Sequence, residues 1–153
     1  MVGTAAPTLT PRQELLLAYI AAGPEEVDPI RIVKGLFVFC QEVPRKWVGD
    51  RELYEFEPYN WGPFSFDLYR DLEVLKAAGL VVASEHPASS LKHYVVTGLG
   101  EEYATRIRKA LHPQAIHYLE ELRKSLLSMD FNTLLRVIYK KYPEFAVNSV
   151  FGH

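Results

Sequence analysis

"SFDLYRDLEVLKAAGLVVASEHPASSLKHYVVT", residues 65–97, reads as a helix followed by a hairpin, and that order decides the fold. Ser65 suits an N-cap, because its hydroxyl can accept a hydrogen bond from a first-turn amide, and Asp67 adds negative charge where the helix dipole favours it. The predicted helix runs from Phe64 to Ala78, with Leu68, Leu72 and Leu75 on its buried stripe and Gly79 closing it. "LVVAS" and "HYVVT" follow as two short apolar strands on either side of the polar tip "EHPASSLK".

Working outward, Thr10-Pro11-Arg12-Gln13 is a capping box with proline at the first helical position, opening a helix through "ELLLAYIAA" that stops at Gly23-Pro24. Asp28-Pro29 repeats the device before "IRIVKGLFVFCQEV", where Ile32, Leu36, Phe39 and Val43 share one stripe and Pro44 ends the helix. "RKWVGDREL" reads as a polar loop, and "YEFEPY" alternates aromatic and acidic residues as a short strand. Thr97 is suited to cap "EEYATRIRKAL". After His112-Pro113, "QAIHYLEELRKSLLSM" carries Ile116, Leu119, Leu122 or Arg123, and Leu126 in register, and Asp130 caps a last helix, "FNTLLRVIYKKY".

The expectation is a mainly α protein with a small β-hairpin. Its order of elements is that of a winged helix, with residues 1–10 as a loose tail, 11–111 as the winged-helix-like domain, and 112–153 as a C-terminal helical extension packed on it or used in dimerisation. At 153 residues the chain can bury a core without disulfides. Its single cysteine, Cys40, and the lack of a basic or long apolar leader in "MVGTAAPTLTPRQ" point to a cytoplasmic protein. No apolar run is long enough to span a membrane.

A winged helix most often reads DNA with its third helix, and charge argues against that here. The net charge is −2, with nine Lys and Arg against thirteen Asp and Glu in residues 1–100 and eight against six in residues 101–153. Phosphate binding calls for a basic face. The outward face of the third helix instead carries Phe66, Arg70, Glu73, Val74 and Ala77, an arrangement closer to a protein interface. The DNA-contact candidates under the alternative reading, a transcriptional regulator dimeric through its C-terminal helices, are Arg70, Lys76, Lys92 and His93.

Motifs of catalysis are missing: there is no G-x-S-x-G, no phosphate-cradling glycine loop, no H-E-x-x-H and no C-x-x-C. The histidines, His86, His93, His112, His117 and His153, are scattered and suit solvent-facing or capping roles. Cys40, among Phe37, Val38 and Phe39, reads as a small buried hydrophobe, and Asp67 and Asp71 as a solvated face. No enzyme activity, cofactor or metal site is expected. Tyr54, Phe56, Tyr59 and Trp61 either wall the core or line a groove for a partner peptide or helix. Arg136, Lys140 and Lys141 form a basic group that could complement an acidic surface on a second copy or a partner.

Trp61-Gly62-Pro63 followed, after five intervening residues, by Tyr69 resembles the "GP…Y" signature of the Panacea family of SocA-like antitoxin domains. "RIVKGLFVFCQE", residues 31–42, is similar to that family's "L-x-K-L-L-Y-F-x-Q" helix, and "LLRVIYKKY", residues 134–142, to its C-terminal "L…V…Y" helix. The "PYNWGPFS" junction also resembles small winged-helix proteins with "PYxYGPFS". The resemblance implies a non-enzymatic protein that binds another protein, a toxin or a protease it adapts, from a toxin–antitoxin, phage or defence locus. The partner-binding residues it suggests, with the outward face of the third helix, are Tyr59, Trp61, Phe66, Arg70, Glu73 and Val74.

Overall fold

A computed structural model describes residues 7–85 and 92–150. The chain is mainly helical with short β-hairpins. Helices α1 (Pro11–Ile20), α2 (Pro29–Glu42) and the single turn α3 (Arg45–Val48) precede strands β1 (Glu57–Tyr59) and β2 (Gly62–Phe64). Helix α4 (Phe66–Ala77), strands β3 (Val81–Glu85) and β4 (Lys92–Val96), and helices α5 (Gly98–Ala110), α6 (Pro113–Leu127) and α7 (Phe131–Lys141) follow, with a 3₁₀ turn at Pro143–Ala146.

Local chemistry sets the helix starts. Thr10 and Gln13 form the reciprocal box, Gln13 N donating to Thr10 Oγ1 at 3.2 Å and Thr10 N to Gln13 Oε1 at 3.0 Å. Asp28 accepts from Arg31 N, Ser65 from Leu68 N, Thr97 from Gly100 N and Asp130 from Thr133 N. His112 caps α6 through Nδ1, which accepts from Gln114 N at 3.0 Å. Because Ser65 is the cap, α4 begins at Phe66 rather than at Phe64. Gly79 follows α4 with φ of 77°, a left-handed conformation that glycine adopts at low cost.

Helix α1 is the hub. Leu15 through Ile20 are all buried, and α1 touches α2, α4, α5, α6 and β4. A six-residue buried run has no polar face, which is how a helix enclosed on all sides reads. Tyr19 on α1 is wholly buried, and its hydroxyl donates to the Arg31 carbonyl at 3.1 Å. The β3–β4 hairpin is antiparallel, from Val81 opposite Val96 to Glu85 opposite Lys92. The α1–α2 connection joins its edge, Val27 and Tyr94 exchanging backbone hydrogen bonds of 3.0 and 2.8 Å.

Helix α6 packs along α2, so Leu111, Ala115 and Leu119 belong to the same core as Leu36 and Phe39. A second cluster forms where α7 covers Phe37 with Leu134, Leu135, Ile138 and Tyr142. Residues 7–10, expected within a loose tail, are tied down: Tyr103 OH donates to the Pro7 carbonyl at 3.1 Å and Leu9 packs on the core.

Two segments differ from the sequence expectation. "RKWVGDREL" contains the α3 turn, which uses the positive φ of Gly49 to leave the helix. The single strand expected around "YEFEPY" is a second hairpin, β1 with β2, in which Tyr59 faces Gly62. Both are short elements held by neighbours, and periodicity has too few residues there to register them. The hairpin tip at residues 86–91, with His86, and the last residues 151–153, with His153, lie outside the described residues.

Candidate functional site

Asn60 and Trp61 turn the chain between β1 and β2, and Gly62 closes the turn with φ of 91°. A Cβ on Gly62 would also stand 3.3 Å from the Tyr139 ring, so α7 can approach only a glycine there without a shift. The following peptide is held from the other side, Lys34 Nζ donating to the Pro63 carbonyl at 3.1 Å. The segment after the 3₁₀ turn straps the outside, Val150 N donating to Asn60 O at 2.9 Å and Asn148 Nδ2 to Pro58 O at 3.2 Å. The hairpin is thus fixed on three sides, by α2, α7 and the C-terminal segment.

Its remaining side borders a cavity of about 600 Å³. Ile30, Val33 and Lys34 of α2 form one wall, Tyr59, Trp61 and Phe64 of the hairpin a second, and Phe66 and Tyr69 of α4 a third, with Phe131 at the start of α7. The rings interlock edge to face or tilted: Phe64 and Phe66 centroids are 4.9 Å apart, Tyr59 and Phe66 5.4 Å, and Trp61 and Phe131 5.6 Å. Such pairs hold one another in place with about 1 kcal/mol each beyond burial. Yet Trp61 stays 47% and Phe66 57% exposed, which a role confined to the core would not leave.

Lys34 differs from every other group in the cavity wall. It is 4% exposed, and the Pro63 carbonyl takes one of its three N–H groups. The neighbouring Arg31 is already ion-paired: its guanidinium donates to Asp28 at 2.7 Å, Leu126 O at 3.0 Å and Met129 O at 2.5 Å. Burial lowers the Lys34 ammonium from 10.5 to about 8, against a smaller opposing pull from Asp28. The folded pKa lies below the unfolded one, so the cost of the buried charge is fully present below pH 8 and fades as pH rises towards 10.5. Replacing Lys34 by methionine should therefore stabilise the protein at pH 7 by roughly 1–2 kcal/mol, after allowing for the lost hydrogen bond. Paired thermal melts at pH 7 and pH 10 check this; the gain should shrink at the higher pH.

The candidate residues separate as follows. Tyr59, Trp61 and Phe66 line the cavity, and Phe66 with Tyr69, Arg70 and Glu73 lines a shallower depression of about 360 Å³ beside it. Val74 is exposed one turn further along α4 but lines neither. Among the DNA-contact candidates, Arg70 pairs with Asp67 and Lys76 with Glu73 at 3.6 Å, so both α4 cations carry an acidic neighbour. Lys92 is exposed and His93 half-buried, and both belong to β4.

Lys34 and Phe131 escape the sequence reading of the site, and Tyr69 entered it only through the Gly62-Pro63…Tyr69 spacing. The signal for Lys34 was a lone cation in the apolar run "IVKGLFVF"; for Phe131, six dozen residues from the hairpin in sequence, there was none. Tyr54 is a core residue, 3% exposed, and its hydroxyl donates to Asp71 at 2.7 Å. Asp71 also accepts from Gln13 at 3.0 Å, so it is no solvated surface acid but ties α4 to α1. Asp67 does reach the surface, pairing with Arg12 at 3.5 Å as well as with Arg70. Cys40 is half-buried, and burial pushes its thiol up to about 12, so thiolate is scarce at neutral pH. Among the described residues no three His, Cys, Asp or Glu side chains gather where they could hold a metal ion, and no helix is long and apolar enough to cross a membrane.

The fold and site define a mainly helical protein whose short hairpin and α4 frame an open aromatic cavity with a buried cation in its wall. No protein-family model matches the chain, and no curated protein matches it in sequence.

Proposed function

We propose that this chain is a non-enzymatic protein-binding module, antitoxin-like or adaptor-like, that engages another protein through the hairpin and the outward face of α4. The observation that carries the reading is the concentration of half-exposed aromatics, Tyr59, Trp61, Phe66 and Tyr69, around one cavity. Large apolar side chains left open together mark recognition surfaces, and Tyr and Trp in such settings are frequent hot spots. Arg70 and Glu73 edge the patch as a polar rim.

The Panacea resemblance supplies the biological expectation: a cytoplasmic protein of a toxin–antitoxin, phage or defence locus, whose partner is a toxin or a protease. The three patches that carry it converge in space. Lys34 donates to Pro63, and Leu135 and Tyr139 lie against Gly62.

The test is co-purification with the product of the neighbouring gene, with affinity measured for wild type, Phe66→Ala and Arg70→Ala. Phe66→Ala should weaken binding about thirtyfold, the effect of a hot spot near 2 kcal/mol, and Arg70→Ala a few-fold at the rim. Unchanged affinity in both variants would remove this surface from consideration.

A second reading, a winged-helix regulator, is favoured by one observation: α4 leads directly into a hairpin whose second strand begins with Lys92 and His93. Binding to the upstream DNA should then fall steeply with salt, and Arg70→Ala, Lys76→Ala and Lys92→Ala should each flatten the slope by about one. The charge pairs on α4 favour the first reading.

A further inference from the structure

We propose that the cavity receives the C-terminal residue of the partner polypeptide, with its free α-carboxylate on the Lys34 ammonium and its apolar side chain among Tyr59, Trp61, Phe64 and Phe66. The inference rests on the protein-binding reading above and specifies what that surface recognises.

Charge complementarity selects the carboxylate. Lys34 lines a mainly aromatic and aliphatic wall that also includes Arg31 and Asn60, is nine-tenths buried, and makes no ion pair among the described residues. Two N–H groups remain for a further acceptor after the Pro63 carbonyl has taken its share. Arg31, the other cation in the wall, already has its charge balanced by Asp28 at 2.7 Å, whereas Lys34 meets only a neutral carbonyl. A buried cation in an apolar wall binds an anion more strongly than a surface lysine does, because water competes less there.

Continuity selects a polypeptide over a free small acid. The cavity shares Phe66 and Tyr69 with the adjoining depression, which continues along α4 to Arg70 and Glu73. A chain ending at Lys34 can therefore lay its preceding residues along the rim. There Arg70 and Glu73 offer charges to peptide groups or side chains. A single amino acid would fill only the deeper part.

The probes are fluorescein-labelled octapeptides ending in Leu, Phe, Trp, Ala or Asp, each as free acid and as C-terminal amide, titrated against the full chain. Endings with bulky apolar residues should be selected, and the free acid should bind about tenfold or more tightly than its amide, the effect of one charge-assisted contact. Lys34→Met should abolish the difference between acid and amide while the variant still melts cooperatively. N-acetyl-phenylalanine should bind at least about tenfold more weakly than the Phe-ending octapeptide.

Equal binding of acid and amide to the wild type would overturn the proposal, as would absence of binding by any peptide at millimolar concentration. N-acetyl-phenylalanine binding as tightly as the octapeptide would make this a site for small acids and overturn it too. If the natural partner depends on Phe66 but is indifferent to Lys34→Met and to amidation of its C-terminus, this inference falls and the protein-binding reading stands. If no partner depends on Phe66 or on Arg70, both fall.

Discussion

Gly100→Ala should be the most damaging small substitution in the chain. A Cβ at Gly100 would lie 1.9 Å from the Leu80 carbonyl oxygen and 2.9 Å from its carbon, and both are backbone atoms held in place. Thr97 N donates to that oxygen at 3.0 Å and Thr97 Oγ1 reaches it at 3.2 Å, while Thr97 Oγ1 also accepts the Gly100 amide. The first turn of α5 is thus pressed onto the end of the α4–β3 connection, and neither side can yield without breaking the cap. Overpacking of this kind costs about 3 kcal/mol or more, and at this chain length each kcal/mol lowers the melting temperature by roughly 2–4 °C. A fall of about 6–12 °C is expected in a thermal melt. Gly98→Ala on the same helix has nothing within 4 Å and serves as the control, with no loss expected. Similar melts for the two variants would show that the α5 contact is looser than described.

Arg123→Met should come second, with a loss of about 3 kcal/mol. Arg123 is 1% exposed on α6, and its guanidinium donates to Ile20 O at 3.1 Å, to Glu25 O, and to the Glu25 carboxylate at 3.3 Å. Ile20 ends α1, so its carbonyl belongs to the last turn, which has no partner inside the helix. Two opposing effects meet here. Removing a buried guanidinium relieves desolvation, the cause that lowers its pKa, and methionine retains most of the apolar stem. Against that, the Ile20 carbonyl loses its donor in a buried contact, at about 1–3 kcal/mol, the part-buried Glu25 carbonyl loses its own, and these losses together win. Arg123→Lys should lie between, because one ammonium can replace part of what Nη2 donates to the two carbonyls but not the Nη1 bond to the Glu25 carboxylate as well. Chemical denaturation of the three proteins checks the order; a variant with methionine as stable as wild type would mean that desolvation outweighs the hydrogen bonds.

Both effects turn on contacts between residues far apart in the chain, and the same is true of the site. Phe66, Arg70, Glu73 and Val74 could be assigned to the open face of α4 because Leu68, Leu72 and Leu75 mark the buried one at helical spacing. Tyr59 and Trp61 stood between a core role and a groove role on sequence grounds; they are 43% and 47% exposed and line the cavity. Tyr54, from the same aromatic run, went to the core. An aromatic run without regular spacing does not say which ring turns inward, because that depends on which helix lies behind it.

What the sequence determined by itself is therefore local. Side-chain caps at Thr10, Asp28, Ser65, Thr97 and Asp130, the glycine stop at Gly79 and the stripes at helical spacing set the elements, since each acts within three or four residues of chain. Only the tertiary structure decided that α1 is enclosed on all sides, that the segment before α4 is a hairpin strapped by α7 and the C-terminal segment, and that Lys34 comes to rest against Pro63 in the wall of an aromatic cavity. The burial of a lysine depends on what packs against it, and the contact that holds Lys34 comes from Pro63 in the hairpin, about thirty positions away.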